Sequence, residues 1–312
     1  MGRVAVLGVF VADLSFRGER LPRMGETVMT EVFRLGPGGK GSNQAIAARR
    51  AGAEVTFISR LGDDAFGALA RETYRREGIS DAYLSTDPGS YTGAAFIFLE
   101  EESRENAIVV APGAVSGLTP RDVEAAAKAV IAADVLATNL ELPVQVARRG
   151  LELAREAGVA TILNPAPAAP LPDDIYPLVD YLTPNESEAA ALCGIEVANV
   201  ADAERAADWF LARGVGAVIV TLGGKGAFLK SSVDGEGVHV PPYRAGRLVD
   251  TTGAGDAFNG GLAVALAERK PVAEAVRFGC AVAGLSVTRQ GTAPSMPMRE
   301  EVMALLEGTA TA

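Results

Sequence analysis

Apolar residues run unbroken over residues 4–12, behind Arg3, and valine is the commonest of them. Such a run predicts a strand buried on both faces, as in a parallel sheet. Residues 27–35 and 91–99 are also rich in β-forming side chains, and the first stretch partly alternates between apolar and polar. Alternation marks a sheet with one wet face, so these stretches predict a small β layer outside the main core. Helical spacing recurs over residues 42–51, closed by Gly52, over 65–76, closed near Gly78, and over 143–157, 185–193 and 202–213; Thr119-Pro120 opens one more helix. Glycine past a helix end accepts the left-handed cap, and proline at a helix start gives up an amide that has no partner there. Strands predicted at 55–59, 134–137, 160–163 and 217–221 fall between these helices, and the last third is rich in helix. Alternating strands and helices make a parallel sheet. With no Pro/Ser linker, repeat or low-complexity segment, the chain reads as one α/β domain over residues 1–312 with a β appendage.

Composition narrows the function. Of 312 residues, 48% are hydrophobic and 22% charged, enough for a large core and incompatible with disorder. The 39 acidic and 29 basic side chains leave a net charge of −10, which argues against nucleic acid as a partner, because phosphate binding needs a basic surface. No apolar run reaches the roughly 18 residues of a membrane helix. The run at 4–12 is long enough for a signal peptide, but no small-residue cleavage site precedes Asp13, and Val6 stands where a myristoylation signal needs Ser or Thr. A cytoplasmic protein is therefore expected. Two cysteines, Cys193 and Cys280, make no disulfide framework, and the single histidine, His239, supports neither a His-based zinc site nor a serine–histidine relay.

The 35 glycines are clustered, which points to sites lined by backbone. The first cluster, Gly36-Pro37-Gly38-Gly39-Lys40-Gly41-Ser42-Asn43-Gln44, leads into a helix. Glycine admits a close ligand, Lys40 supplies positive charge, and a helix start favours anions. Gly36, Gly38 and Gly41 also fit G-x-G-x-x-G, so an NAD(P)-dependent oxidoreductase is an alternative. Against it stand Pro37 inside the turn and the absence of an acidic ribose ligand at Ser59-Arg60. A P-loop is excluded, because Gly41 rather than Ser or Thr follows Lys40. The second cluster, residues 250–261 (DTTGAGDAFNGG), precedes an apolar helix at 262–267. Free amides before a helix surround developing negative charge, and Asp256 stands where a carboxylate receives a proton; the plainer reading of Asp256 is a helix cap. A charged glycine loop and a Gly/Asp loop, both at helix starts, together suit phosphoryl transfer to a hydroxyl.

At these residues the sequence resembles the ribokinase family, the phosphofructokinase-B-type carbohydrate kinases. GPGGKGSNQAIAARRAGAEVTFISRLGDDAFG (36–67) is similar to the family's first signature and DTTGAGDAFNGGLAVAL (250–266) to its second. LELP (140–143), NPAPA (164–168), TPNESE (183–188) and TLGGKG (221–226) follow in family order. The resemblance spans nearly the whole chain. It implies a doubly wound parallel sheet with helices on both faces and a small β-sheet lid from segments at about 13–36 and 90–111. It also implies an ATP- and Mg²⁺-dependent sugar kinase, ribose being the leading acceptor, with fructose, 2-keto-3-deoxygluconate or a nucleoside as family alternatives. A sugar sensor that has lost turnover is a further reading. Several family members form homodimers through the lid, and this is expected here.

Residue by residue, the resemblance makes Asp256 the base and the amides of Gly253, Ala254 and Gly255 the phosphoryl-binding donors. Asp13, Gly39, Lys40, Asn43 and Glu141 are assigned to the sugar. Asn185, Thr221, Gly223, Gly226, Gly255 and Cys280 are assigned to the nucleotide, and Glu188 to Mg²⁺ through water. Asn185-x-x-Glu188 is also a capping box, and the glycines after Thr221 also suit a hairpin turn. Asp250, Thr252, Ser286, Arg289, Gly291 and Ser295 correspond to the K⁺ site of some members. Two departures stand out. Val11 replaces the asparagine of the family's Asn-x-Asp, removing a sugar-binding amide, and Cys280, expected to be a packing residue, stands where a histidine is frequent.

Overall fold

The N-terminal apolar run is not one strand. In the computed structural model, which describes residues 1–102, 106–233 and 235–308, it divides at Gly8 into β1 (Arg3–Leu7) and β2 (Val11–Gly18), and these belong to different sheets. Hydrophobicity alone hides the break, because residues 4–7 before it and 9–12 after it are all buried. β3 (Val32–Gly38), α1 (Lys40–Arg50), β4 (Glu54–Gly62), α2 (Ala65–Glu77), β5 (Ser80–Asp87), β6 (Thr92–Glu100) and β7 (Asn106–Gly113) complete the first third. The middle holds α3 (Pro120–Ala125), α4 (Ala127–Ala132), β8 (Val135–Asn139), α5 (Val144–Glu156), β9 (Ala160–Asn164), β10 (Tyr181–Leu182), α6 (Glu186–Cys193), α7 (Val200–Leu211) and β11 (Ala217–Thr221). Last come β12 (Ala227–Ser231), β13 (Val238–Val240), α8 (Ala254–Ala267), α9 (Val272–Ser286) and α10 (Arg299–Leu306).

Nine strands form the large sheet in the order β13-β12-β11-β10-β9-β8-β1-β4-β5, parallel except for the antiparallel β12 and β13 at one edge. Alternate residues of β1 enter different cores. Val4 and Val6 pack with α1 and α8, whereas Ala5 and Leu7 pack with Val123 and Val146 from α3 and α5. Helices therefore cover both faces, as expected of a doubly wound sheet. The second sheet has the order β3-β2-β6-β7.

The small sheet departs from the sequence reading at its ends. Its strands occupy 11–18, 32–38, 92–100 and 106–113, so residues 27–31 add no strand and the sheet runs into the first glycine cluster. Residues 103–105 of the second segment, Asp234 and the last four residues, 309–312, lie outside the described residues. The helix opened by Thr119-Pro120 is two short helices broken at Ala126, and β5, β10, β12 and β13 were not foreseen; β5 is polar and largely exposed, and β10 is two residues long. Gly36 and Gly38 end a strand of the small sheet. They therefore do not make the buried-strand turn of a dinucleotide fingerprint.

Candidate active site

α1 begins in backbone contact with the end of β1. A Cβ on Gly41 would lie 2.5 Å from Gly8 Cα, and Gly39, at φ 89°, has no room for one beside Val9 O. Only glycine meets both demands, so the cluster fixes where Lys40 is presented. The Lys40 amide donates to Glu141 Oε2 at 2.8 Å, and the Glu141 amide donates to Asn139 Oδ1 at the end of β8, at 3.1 Å. α8 packs on α1 through Gly260, where a Cβ would stand 2.5 Å from Ala47 Cβ. That approach brings the Asp256 carboxylate to α1. Asn43 Nδ2 donates to Asp256 Oδ2 at 3.0 Å and Gln44 Nε2 to Oδ1 at 3.3 Å. Asp13, on β2, accepts a hydrogen bond from the Thr292 hydroxyl at 3.4 Å, and Gly38 leaves room for its carboxyl group.

Asp256 belongs to the first turn of α8, which begins eight residues before the predicted helix. Gly253 caps it at φ 79°. The Ala254 amide turns back to Thr251 O at 3.2 Å, whereas those of Gly255 and Asp256 find no acceptor among the described residues. Of the expected donors, the Gly253 amide also finds no acceptor among the described residues, and only that of Ala254 is engaged internally. A carboxylate and open amides at a helix start form a base beside an anion site.

Electrostatics follow burial. Desolvation raises the Asp256 carboxyl above the ordinary range, while Lys40, Asn43 and Gln44 pull it back. Burial, with repulsion from Asp256, pushes Glu141 up to about 7. Burial, reinforced by Asp256 and opposed by Thr292, raises Asp13 to about 6. Lys40 is held charged, chiefly by Asp256.

Beside this group opens a cleft of about 810 Å³ lined by Lys40, Asn185, Glu188, Thr221, Gly223, Gly226, Gly253, Ala254, Gly255, Asp256 and Cys280. Asp13, Gly39, Asn43 and Glu141 do not line it; they flank its Lys40–Asp256 end through the contacts above. Asn185 and Glu188 do cap α6, Oδ1 of Asn185 accepting from the Glu188 amide at 2.8 Å and Oε2 of Glu188 from the Asn185 amide at 2.9 Å, and both also face the cleft. Gly223 and Gly226 likewise combine two readings, turning the β11–β12 hairpin and lining the cleft. Burial pushes the Cys280 thiol up to about 12, so it remains a neutral packing group.

The six residues that the resemblance assigns to K⁺ lie in the segment before Gly253, at the end of α9 and in the segment after it. Asp250 accepts from the Thr252 amide at 2.9 Å and the Gly291 amide at 3.0 Å, the Arg289 amide donates to Ser286 O at 3.1 Å, and the Ser295 hydroxyl to Thr292 O at 2.7 Å. Carboxylate and carbonyl oxygens are the donors a hard cation takes, so the set fits K⁺. Among the described residues no cluster of three or more His, Cys, Asp or Glu could hold a metal. Glu188, which shares the cleft wall with Glu186 and Asp256, still suits Mg²⁺, which commonly uses one or two carboxylates together with substrate phosphates and water.

Sequence reasoning missed the buried polar residues Gln44, Asn139, Asn164, Thr183 and Asn259, and the half-buried Thr292 that serves Asp13. A polar side chain inside an apolar helix, as with Asn259, was the available signal.

The family model described as pfkB family carbohydrate kinase matches residues 1–299. The ribokinase of Haemophilus influenzae is 40% identical over 97% of this chain and 98% of its own. The deoxyribokinase of Salmonella typhimurium is 34% identical over 96% of each chain. The structure of Arabidopsis thaliana ribokinase complexed with ribose and ATP superposes with a TM-score of 0.93 at 31% identity, covering 98% of this chain and 99% of that one.

Proposed function

This chain belongs to the pfkB family of carbohydrate kinases, and from that membership together with the cleft we propose that it transfers the γ-phosphoryl group of ATP to a hydroxyl of ribose. The observation that carries the proposal is the Asp256 carboxylate in the first turn of α8, beside two amides with no internal acceptor. In this reading ATP lies along the cleft past Thr221, Gly223, Gly226 and Cys280. The sugar lies at the end formed by Asp13, Gly39, Lys40, Asn43 and Glu141. Asp256 takes the proton from the attacking hydroxyl, and the Gly255 and Asp256 amides, with the Gly253 turn, hold the charge on the phosphoryl oxygens. Lys40 favours the ionised form of Asp256 and balances the incoming charge. Mg²⁺, held beside Glu188 and the phosphates, would neutralise phosphate charge; K⁺ in the 250–295 loops would steady the Gly253 turn.

Three carboxylates, Asp13, Glu141 and Asp256, against one lysine favour a neutral sugar over a sugar acid. Val11, only 4% exposed, offers no hydrogen bond, and this favours 2-deoxyribose as a second reading. The small sheet is read as a lid on a single domain. Its outward Phe16, Phe33, Phe96 and Val109 are read as a homodimer surface, Phe33 being 54% and Val109 66% exposed. A cytoplasmic location is in keeping with two free thiols, and no helix among the described residues is long and apolar enough to cross a membrane.

The test is ADP release over ribose, deoxyribose, fructose, 2-keto-3-deoxygluconate and nucleosides, with and without K⁺. Ribose is expected to give the highest kcat/KM, and Asp256→Asn is expected to lower kcat by about 10²–10⁴-fold. A folded Asp256→Asn protein with wild-type turnover would refute the assigned base. A response to sugar acids alone would replace the substrate, and sugar binding without ADP release would make the chain a sensor.

A further inference from the structure

A closed circuit of side-chain hydrogen bonds surrounds the start of α8. Gln44 Nε2 lies 3.3 Å from Asp256 Oδ1 and 3.2 Å from Asn164 Oδ1, so its two protons serve two acceptors. Asn164 Nδ2 donates to Thr183 O at 3.0 Å, the Thr183 hydroxyl donates to Asn259 Oδ1 at 2.7 Å, and Asn259 Nδ2 donates to Gly255 O at 2.8 Å. Gly255 O and the Asp256 amide share one peptide unit, so the circuit closes on the residue where it began. None of Gln44, Asn164, Thr183 and Asn259 is more than 7% exposed.

Two consequences follow from elementary chemistry. The peptide unit is planar, so holding the Gly255 carbonyl on Asn259 also fixes the opposite direction of the Asp256 N–H. The circuit also has one polarity. Gly255 O can only accept, which turns the Asn259 amide nitrogen towards it and the Asn259 oxygen towards Thr183. Thr183 must then donate its hydroxyl proton. Its backbone carbonyl takes the Asn164 nitrogen, which leaves the Asn164 oxygen to receive one Gln44 proton. The second Gln44 proton reaches Asp256, whose oxygen accepts it as an ionised carboxylate.

Resting on the assignment of Asp256 as base, we propose that Gln44, Asn164, Thr183 and Asn259 are positioning residues that aim the base and its neighbouring phosphoryl-binding amide as one unit and hold the base ionised. Asn164, Thr183 and Asn259 also line the cleft; in this account all four act through Asp256 and its amide, not on phosphate or sugar. They span α1, β9, the segment before α6, and α8, so the first glycine signature, the NPAPA and TPNESE segments and the second signature meet in a single circuit. A core that merely satisfied its polar groups would affect stability; a device that aims the reacting groups affects kcat.

Thr183→Val removes one oxygen at nearly constant shape, and Thr183→Ser retains it. Steady-state kinetics with ribose and ATP should show kcat reduced about 10–100-fold in Thr183→Val and Asn259→Ala, with both KM values within about threefold of wild type, because misaimed donors lose transition-state rather than ground-state contacts. Thr183→Ser should recover most of the loss. Gln44→Met should also move the acid limb of the kcat/KM profile to higher pH, since it deletes a hydrogen bond to the charged carboxylate. The Thr183 pair is compared at a temperature where circular dichroism shows both folded, so the outcome stands even if Asn259→Ala does not fold. Wild-type kcat in Thr183→Val, an equal loss in Thr183→Ser, or a change confined to KM would each overturn the proposal. Asp256→Asn separates the two levels: if it is inactive while the circuit variants are normal, only the positioning inference fails, and if it is active the assignment of the base fails.

Discussion

One ammonium group, Lys40, stands among Asp13, Glu141 and Asp256, and this imbalance has a measurable cost. Buried carboxyls with raised pKa values leave stability intact below the ordinary carboxylate range and remove it as the pH rises through their folded-state values. For Asp13 and Glu141 that window runs from the ordinary range to about 6 and about 7. The ligand-free protein should therefore lose stability between about pH 4 and 7 from these groups. Glu141→Gln should flatten the loss by about 1–3 kcal/mol, read as a smaller difference in thermal midpoint between pH 5 and pH 8 by calorimetry. An unchanged difference would show that Glu141 is ionised without strain. Lys40 and Asp256 were legible in the sequence because each sits within a glycine cluster. Gln44, Asn164 and Thr183 were not, because a buried amide or hydroxyl has no sequence pattern of its own until the fold supplies its partner.

Among the elements, α1 and α8 matter most, since they bring Lys40, Asn43 and Gln44 against Asp256. The seat of α1 beside the end of β1 depends on Gly41 and its approach to α8 on Gly260, where a Cβ would meet Gly8 Cα and Ala47 Cβ, respectively, at 2.5 Å. Gly41→Ala presses on backbone, which cannot rotate away, so a stability loss of about 1–3 kcal/mol is expected from denaturant unfolding. A fall in kcat should accompany it, because Lys40, Asn43 and Gln44 move with α1. Wild-type stability and kcat in that variant would mean the β1–α1 contact is looser than described. Helix positions were largely visible from their periodicity and caps. The division of residues 4–12 between two sheets was not, because hydrophobicity reports burial and is silent about which sheet does the burying.

For the whole molecule, the small sheet presents two different faces. Asp13 and Phe16 lie on opposite sides of β2, since strand side chains alternate. The side that carries Asp13 flanks the Lys40–Asp256 end of the cleft, where the sugar is proposed to lie. The other carries a contiguous aromatic surface, with Phe16 centroids 5.0 Å from Phe33 and 5.5 Å from Phe96. A patch of that kind favours self-association. Sedimentation should show a dimer that Phe33→Glu combined with Val109→Glu converts to monomer; a wild-type monomer at micromolar concentration would remove the dimer reading. By itself the sequence determined the alternating α/β plan, the two glycine signatures and the chemistry they carry, because period, caps and glycine runs are local properties. Only the tertiary structure decided which amides at the start of α8 stay open, which buried polar groups serve Asp256, and where the first apolar run changes sheet, because each depends on contacts between segments up to 213 residues apart.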